Sequence, residues 1–252
     1  MSPGRAVFVS DVHANPASPA TLEAFLRFLA GPARGAAALF VLGDLFETFV
    51  AAGEARRPGA REVVDGLAGL ARAGSRVAFL PGNRDFPLES VLRPLGVERL
   101  PDFARLEVGG ARVIATHGDL LCTRDRRYQA FRRAVRGRPL RTVAEALPQG
   151  VLDALAAGAR DASRAETARK AWGTMGLDAG RVRRLLLRED ADALVCGHVH
   201  WGVRHRMSVD GRQRDVFVLG AWEDGPNWLE REGGAWRFLA PSAAISAPPP
   251  GA

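Results

Sequence analysis

The sequence predicts an α/β fold whose layers enclose a mixed β-sheet core. Two patterns lead to this prediction. Short apolar runs typical of buried strands alternate with helical segments as far as residue 120, and a series of closely spaced strands follows residue 190. In addition, five of the predicted strands end in side chains that can bind a metal ion. Functional residues of layered α/β proteins usually lie at the carboxyl ends of strands, so the same pattern predicts where the site is.

The first half of the chain contains five predicted strands separated by helices and tight turns. Ser18 and Pro19 begin the first helix as an N-cap and a first-turn proline, and apolar residues at three- and four-residue spacing continue it to Gly31. Gly109 and Gly110 join two strands into a β-hairpin. The predicted strands are 5–10, 36–42, 76–80, 103–108 and 111–116, and the predicted helices are 18–31, 61–73 and 88–93.

Residues 120–190 differ in composition from the flanking chain. They are rich in Ala, Arg and Leu at helical spacing and lie between two strands that end in candidate ligands, so we predict a helical insertion that caps the site. Its predicted helices are 125–136, 140–157, 160–172 and 178–189, and the strands that follow are 193–196, 203–209, 214–219, 227–231 and 235–239. We expect a single domain over residues 1–240 and a disordered tail, rich in Pro, Ala and Ser, at 241–252.

The net charge of +7 is concentrated in one segment. Residues 121–141 hold eight arginines and one acid, and this cationic patch favours an anionic partner such as phosphate, nucleic acid or anionic lipid. No apolar run is long enough to span a membrane, so we expect no membrane-spanning helix. The residues before the first strand lack the features of a signal peptide, so we expect no such peptide there. Cys122 and Cys196 are far apart in the chain, which favours packed thiols in a reducing compartment over a disulfide framework.

Seven side chains at the five strand ends form a candidate metal site. An aspartate directly after a buried strand is rarely part of a hydrophobic core unless it is paired or bound to a metal. Four of the five histidines in the chain stand at the same kind of position, and the fifth, His205, is assigned to the surface of a predicted strand. The seven candidates are Asp11, His13, Asp44, Asn83, His117, His198 and His200.

Seven ligands are more than one tetrahedral zinc site can use. If Asp44 is shared between two ions, each ion has four protein ligands. Mixed imidazole, carboxylate and amide donors suit Mn²⁺, with Mg²⁺ or another divalent ion as alternatives. Two ions about 3.5–4 Å apart can clamp a phosphoryl group and activate a water between them, so the predicted chemistry is hydrolysis of a phosphoester or phosphoanhydride.

The order and spacing of these ligands resemble a known superfamily. Asp-x-His, Gly-Asp, Gly-Asn, His and Gly-His-x-His, read from Asp11 to His200, are similar to the motifs of the calcineurin-like metallophosphoesterases. This resemblance implies an α/β/β/α sandwich with a helical lid. Further motifs resemble one branch of the superfamily, the UDP-2,3-diacylglucosamine pyrophosphatases of the lipid A pathway. They are Gly43-Asp44-Leu45-Phe46-Glu47, Gly82-Asn83-Arg84-Asp85-Phe86, His117-Gly118-Asp119, Tyr128-Gln129-x-Phe131-Arg132 and Leu219-Gly220-Ala221-Trp222.

The resemblance implies a role for each site residue. Arg84 stands where many relatives have a histidine that donates a proton to the leaving group; because arginine stays protonated, it would clamp a phosphate instead. One ion would be held by Asp11, His13, Asp44 and His200, and the other by Asp44, Asn83, His117 and His198. The implied catalytic residues are Asp44, Asn83, Arg84, His117 and His198. The implied substrate contacts are Asn83, Arg84, Asp125, Ser163, Thr167, Lys170 and His198, with Thr167 in place of an asparagine of the family.

The implied reaction is hydrolysis of UDP-2,3-diacylglucosamine to UMP and 2,3-diacylglucosamine 1-phosphate, carried out by a peripheral protein on the cytoplasmic face of the inner membrane. A basic helix with Tyr128, Phe131 and Val135 on one face fits contact with an anionic membrane surface, although a helix packed on its neighbours shows the same pattern. We expect a monomer, and no nucleic-acid partner because the basic segment lacks interleaved aromatic residues.

Two alternatives remain open. One is a phosphodiesterase, nuclease or nucleotidase of the same superfamily with a soluble substrate. The other is a non-catalytic module that binds nucleic acid or membrane through its basic segment. Retention of all seven candidate ligands argues against the second alternative.

Overall fold

The computed structural model describes residues 4–85, 87–122 and 176–239. Several predictions therefore lie outside the described residues. They are the helices at 125–136, 140–157 and 160–172, almost all of the arginine-rich segment, Phe86, the tail at 241–252, the aromatic positions Tyr128 and Phe131, and the candidate substrate contacts Asp125, Ser163, Thr167 and Lys170.

The described ranges contain eleven strands and four α-helices. The strands are β1 (Ala6–Val9), β2 (Ala38–Val41), β3 (Arg76–Phe79), β4 (Glu98–Arg99), β5 (Ala104–Val108), β6 (Ala111–Ala115), β7 (Ala193–Cys196), β8 (Val203–Val209), β9 (Arg212–Val218), β10 (Trp228–Glu232) and β11 (Ala235–Leu239). The α-helices are α1 (Pro19–Ala30), α2 (Ala60–Arg72), α3 (Leu88–Leu92) and α4 (Ala179–Arg188), and short 3-10 helices lie at Ala52–Arg56, Arg93–Leu95, Asp119–Leu121 and Trp222–Asp224.

The strands form two mixed sheets. The first has the order β11-β10-β1-β2-β3-β4, in which β1 to β4 are parallel and β10 is antiparallel to β1. The second has the order β5-β6-β7-β9-β8, in which β6, β7 and β9 are parallel while β5 and β8 are antiparallel to their neighbours. Because parallel strands end at the same edge of a sheet, the loops after β1, β2 and β3, and those after β6 and β7, are grouped together.

Apolar side chains fill the space between the sheets and under the helices. Phe8 of β1 and Phe40 of β2 stack with ring centroids 4.8 Å apart, and Phe217 of β9 belongs to the same buried cluster between the sheets. Helices α1 and α2 cover the outer face of the first sheet with a second cluster that includes Phe25. The third cluster places α4 against the second sheet through Leu186. The layers follow the order α/β/β/α, which confirms the predicted layered core; most of the predicted helical lid lies outside the described residues.

Most elements lie within two residues of their predicted bounds, and the differences have local causes. Strand β4 was not predicted, because two exposed residues carry no apolar pattern. Ser18 occupies the N-cap of α1, but its side chain makes no capping hydrogen bond. His205 lies half-buried on the edge strand β8. Cys122 and Cys196 are both buried, and neither forms a disulfide in the described part of the chain. Within the described ranges, no helix combines the length and the apolar character needed to cross a membrane.

Glu230 of β10 is a buried carboxylate whose stabilising effect can be tested by pH. Its side chain accepts hydrogen bonds from Trp228 Nε1 at 2.9 Å, Arg5 Nη1 at 3.0 Å and Arg237 Nε at 3.0 Å. Burial alone would raise the pKa of Glu230, but these donors lower it. We expect Glu230→Gln to reduce the free energy of unfolding by about 1.5–3 kcal/mol at neutral pH, since hydrogen bonds to a charged acceptor are lost.

The sign of the pH dependence follows from the lowered pKa. Glu230 contributes its full stabilisation above the pKa of the unfolded chain and loses it as the pH falls through the lower folded pKa. The difference in unfolding free energy between the wild type and Glu230→Gln, measured by urea denaturation, is therefore expected to shrink as the pH falls below the ordinary glutamate pKa of about 4.3. Glu23→Gln is the control, because Glu23 pairs with Arg27 on the exposed face of α1. A Glu230→Gln effect as small as that of the control would contradict this expectation.

Candidate metal centre

The loops that follow β1, β2, β3, β6 and β7 are joined to one another by hydrogen bonds. The Asp11 amide donates to the Gly43 carbonyl at 3.1 Å, and the His198 amide donates to Asp11 Oδ2 at 2.8 Å. A Cβ on Gly197 would lie only 2.0 Å from Asp11 Oδ2, so a glycine is needed for the loops after β1 and β7 to approach. The structure thus brings the five predicted strand ends together.

Five of the seven candidate ligands have left-handed backbone conformations. Their φ angles, between 51° and 71°, fall in a region that residues other than glycine seldom occupy. Each such residue costs about 1–3 kcal/mol unless the surrounding structure enforces the conformation, and such positions cluster at functional sites. The five are Asp11, His13, Asp44, His198 and His200.

The first group of ligands surrounds Asp11 and His13, both of which are almost fully buried. Nε2 of His200 lies 3.2 Å from Asp11 Oδ1, and the rings of His13 and His200 are 4.9 Å apart in an edge-to-face arrangement. Nε2 of His13 lies 3.7 Å from Asp44 Oδ2. These four side chains are the set predicted for one ion, and the structure places them side by side.

The second group lies on the other side of Asp44. Nε2 of His117 is 3.7 Å from Asp44 Oδ1 and 2.9 Å from Asn83 Oδ1. The His198 ring lies 5.0 Å from the His117 ring, again edge to face. Asp44 therefore stands between two histidine pairs, one carboxylate oxygen towards each, which is the arrangement predicted for a shared ligand.

Two buried polar atoms of the candidate ligands make no hydrogen bond to the described residues. They are Asp11 Oδ1 and His13 Nε2. Nδ1 of His117 lies 2.9 Å from the Leu42 carbonyl and therefore carries a proton, which leaves Nε2, 2.9 Å from the Asn83 oxygen, as the ring atom that could bind a metal ion. Imidazole, carboxylate and amide groups gathered in a buried site, with two atoms that lack a hydrogen bond, form a donor set that fits divalent metal ions.

Electrostatics favour ionised carboxylates in the site. Burial opposes ionisation of Asp11, but His200 and His117 together lower its pKa to about 2. For Asp44, burial is likewise outweighed by His117, His13 and Arg84, which hold the pKa of that carboxyl well below its usual range. Both carboxylates are therefore charged at neutral pH and available as ligands.

The histidines differ in protonation. Burial and the neighbouring His117 lower the pKa of His198 to about 4, so its ring is neutral at pH 7. Burial opposes protonation of His13, but Asp44 and Glu223 raise its pKa to about 10. Because a metal-bound imidazole must lose its proton, binding at His13 would exchange a proton for the metal ion.

Arg84 lies at the edge of the site, with its side chain 23% exposed. Its Nε is 3.3 Å from Asp44 Oδ2, and its Nη1 is 3.0 Å from Glu47 Oε1. Its amide and that of Asn83 both donate to Asp44 Oδ1, at 3.1 Å and 2.9 Å. The guanidinium is thus placed beside the carboxylate that separates the two histidine pairs.

Three further acidic residues support the site, and none of them was among the residues predicted for it. Asp85 is fully buried and accepts hydrogen bonds from the Leu45 amide at 2.6 Å and the Gly82 amide at 3.0 Å, which ties two ligand loops together. Nδ1 of His13 lies 3.4 Å from Glu223 Oε1 and 3.9 Å from Glu47 Oε2. Glu47 and Asp85 belong to the Gly43–Glu47 and Gly82–Phe86 motifs, so their positions in these motifs could have indicated a role in the site. Glu223 follows the Leu219–Trp222 motif far along the chain, and nothing in the sequence indicated its contact with His13.

The family model of the calcineurin-like phosphoesterases matches residues 4–202. Among curated proteins, the chain is 39% identical over 229 residues to a UDP-2,3-diacylglucosamine hydrolase of Aromatoleum aromaticum, covering 90% of this chain and 93% of that protein. Proteins of the same name from Azotobacter vinelandii and Stenotrophomonas maltophilia are 36% and 35% identical, with 93% and 91% of this chain and 97% and 96% of theirs covered. The chain therefore belongs to the calcineurin-like phosphoesterase family and, within it, to the family of the UDP-2,3-diacylglucosamine hydrolases.

Proposed function

We propose that this chain hydrolyses the pyrophosphate bond of UDP-2,3-diacylglucosamine and releases UMP and 2,3-diacylglucosamine 1-phosphate. The observation that carries the proposal is the position of Asp44 between two histidine pairs, in a chain whose curated relatives are named for this substrate. A single carboxylate with one oxygen towards each pair is suited to bridging two cations, and a pair of cations is suited to phosphoryl chemistry.

Two divalent ions, Mn²⁺ in our proposal, would occupy the two groups of ligands. One would be held by Asp11, His13, Asp44 and His200, and the other by Asp44, Asn83, His117 and His198. When bound, they would neutralise charge on the phosphoryl oxygens and lower the pKa of the attacking water. The protein fixes the ligands in advance, since the backbone amides of Asn83 and Arg84 hold Asp44 Oδ1 and the Leu42 carbonyl orients His117.

Arg84 would bind the phosphate of the leaving group. Attack of water on phosphorus forms one P–O bond as the bridging P–O bond breaks, and the group that leaves is itself a phosphate. A phosphate leaves as an anion and needs no proton from the protein, so a residue that stays charged is suited to this position. A guanidinium can also meet two phosphate oxygens at once.

The head group and the acyl chains would be bound by parts of the chain outside the described residues. We propose contacts of the head group with Asp125, Ser163, Thr167 and Lys170, in addition to Asn83, Arg84 and His198. The helical segment at about 120–190 would supply apolar surface for the acyl chains, and its arginines would favour peripheral attachment to an anionic membrane on its cytoplasmic side. The proposal takes the chain as a single domain that acts as a monomer.

The test is Mn²⁺-dependent release of UMP from UDP-2,3-diacylglucosamine in mixed micelles. We expect activity to disappear when EDTA removes the metal and to return when Mn²⁺ is added. Bis(p-nitrophenyl) phosphate and single-stranded DNA are the comparison substrates. If the metal-loaded protein hydrolyses these at rates equal to or above the lipid rate, the soluble-substrate alternative is correct; if it releases no UMP from the lipid at all, the proposal fails.

A further inference from the structure

Glu47 lies between the proposed phosphate-binding arginine and a proposed metal ligand. Its Oε1 is 3.0 Å from Arg84 Nη1, and its Oε2 is 3.9 Å from His13 Nδ1. The side chain is only 8% exposed, so these charges interact in a poorly solvated environment. One carboxylate thus contacts both halves of the proposed catalytic apparatus.

The backbone holds Glu47 and Arg84 in fixed relative positions. The Glu47 amide donates to the Ala14 carbonyl at 3.3 Å, next to a parallel bridge between Ala14 and Phe46. On the other side, the Phe49 amide donates to the Arg84 carbonyl at 2.8 Å. Both ends of the ion pair are therefore attached to segments that are bonded to each other, which limits the entropy lost when the pair forms.

Arg84 has two carboxylate neighbours, but only one of them stays available when metal is bound. Asp44, at 3.3 Å, is the proposed shared ligand, and its charge would be neutralised by two divalent ions. A guanidinium beside those ions would then be repelled unless another anion compensates the positive charge. Of the two carboxylates that contact Arg84, Glu47 is the one outside the proposed ligand set.

We propose that Glu47 is a positioning residue that keeps the Arg84 guanidinium in the site when metal ions are bound. The inference rests on the proposed role of Arg84 as the phosphate-binding group. The contacts that the structure shows with Asp44 and Glu47 are made by Nε and Nη1, and in our proposal Nη2 donates to a phosphoryl oxygen. Glu47 thereby sets the orientation in which the guanidinium meets the substrate phosphate.

The kinetic test compares Glu47→Gln with Arg84→Lys and the double variant. We expect Glu47→Gln to raise KM for UDP-2,3-diacylglucosamine about tenfold, since a charge-assisted contact that orients Arg84 is weakened, with a much smaller change in kcat. In the Arg84→Lys background, the same substitution is expected to add less than about twofold. Additive effects of the two substitutions would overturn the proposal.

Glu223→Gln is the matched control. Glu223 also lies beside His13, but it acts on Arg84 through charge alone, without an ion pair in the described structure, so its effect is expected to be much closer to additive with Arg84→Lys than the effect of Glu47→Gln. Glu47→Asp keeps the charge on a shorter side chain and is expected to raise KM less than Glu47→Gln does. If the Glu47→Gln protein does not fold, Glu47→Asp takes its place in the kinetic test. An equal rise in KM for both variants would contradict a role of the charge.

A structural arm separates this inference from the proposed function. In crystals of the full chain soaked with Mn²⁺, we expect Arg84 to keep its contact with Glu47 in the wild type and to move away from the ligands in Glu47→Gln. A guanidinium that leaves Glu47 in the metal-loaded wild type, or stays in place in the variant, would overturn the inference. This result does not depend on the lipid, whereas absence of UMP release by the wild type would overturn the proposed function.

Discussion

Asp44→Asn is expected to lower the rate of UMP release by at least about 100-fold and to weaken Mn²⁺ binding to a similar degree. Loss of an outer-shell partner already costs about 10–100-fold in metal affinity or activity, and Asp44 is the proposed direct ligand of both ions. The substitution keeps the shape of the side chain, and its carbonyl oxygen can still accept the amides of Asn83 and Arg84. The loss is therefore expected to come from charge and not from misfolding.

The charge of Asp44 compensates several positive groups at once. His117 and His13 lie 3.7 Å from its two oxygens, and Arg84 lies 3.3 Å away. A neutral amide cannot compensate these groups or two divalent ions, and a buried charge without compensation is costly. The site of Asp44→Asn should therefore reject a second ion even when a first is present.

Isothermal titration with Mn²⁺ and the UMP assay, together with circular dichroism to follow folding, would check this result. Asp65→Asn is the matched control, because Asp65 lies on the exposed face of α2, paired with Arg61. It should change neither Mn²⁺ affinity nor rate. An Asp44→Asn protein that binds two Mn²⁺ ions with wild-type affinity would show that Asp44 is not the shared ligand.

Local patterns in the sequence predicted most of the fold and which polar side chains lie together at the ends of the strands. The helix period placed α2 and α4, and Gly109-Gly110 predicted the β5–β6 hairpin that the structure contains. The seven candidate ligands could be recognised because each is a polar residue within four positions of the end of a buried strand. That signal needs no knowledge of which strands are neighbours, only that parallel strands end at a common edge.

Contacts between distant parts of the chain could not be predicted in this way. The pairing of β10 with β1 joins residues more than two hundred positions apart, and it brings the segment with Glu223 and Trp222 to the first ligand loop. The Trp222 amide donates to the Asp11 carbonyl at 3.1 Å, and its indole packs against Phe25. Such contacts depend on sheet order, which local periodicity does not encode, and the left-handed conformations of the ligands follow from the same enforced packing.

Gly82→Ala is expected to lower the free energy of unfolding by about 3 kcal/mol and to abolish Mn²⁺ binding at Asp44. A Cβ at position 82 would lie 2.1 Å from Asp44 Oδ1 and 2.4 Å from the Asp44 amide nitrogen. The second clash is with backbone, so no rotation of a side chain can relieve it, and overpacking of this kind costs about 1–3 kcal/mol or more. The loops after β2 and β3 must separate, which breaks the hydrogen bonds from Asn83 and Arg84 to Asp44.

Gly69→Ala provides a control with the opposite sign. Gly69 lies inside α2, and a Cβ there would meet no atom within 4 Å. Alanine is expected to stabilise the helix by about 0.5–1 kcal/mol, since it loses less backbone entropy on folding than glycine does. Thermal unfolding in EDTA measures both variants without a metal contribution; at about 2–4 °C per kcal/mol, Gly82→Ala should melt well below the wild type and Gly69→Ala slightly above it. A Gly82→Ala protein with the melting temperature and Mn²⁺ affinity of the wild type would contradict this prediction. It would show that close approach of the loops after β2 and β3 is not required for stability, and that the amides of Asn83 and Arg84 do not hold Asp44 in place.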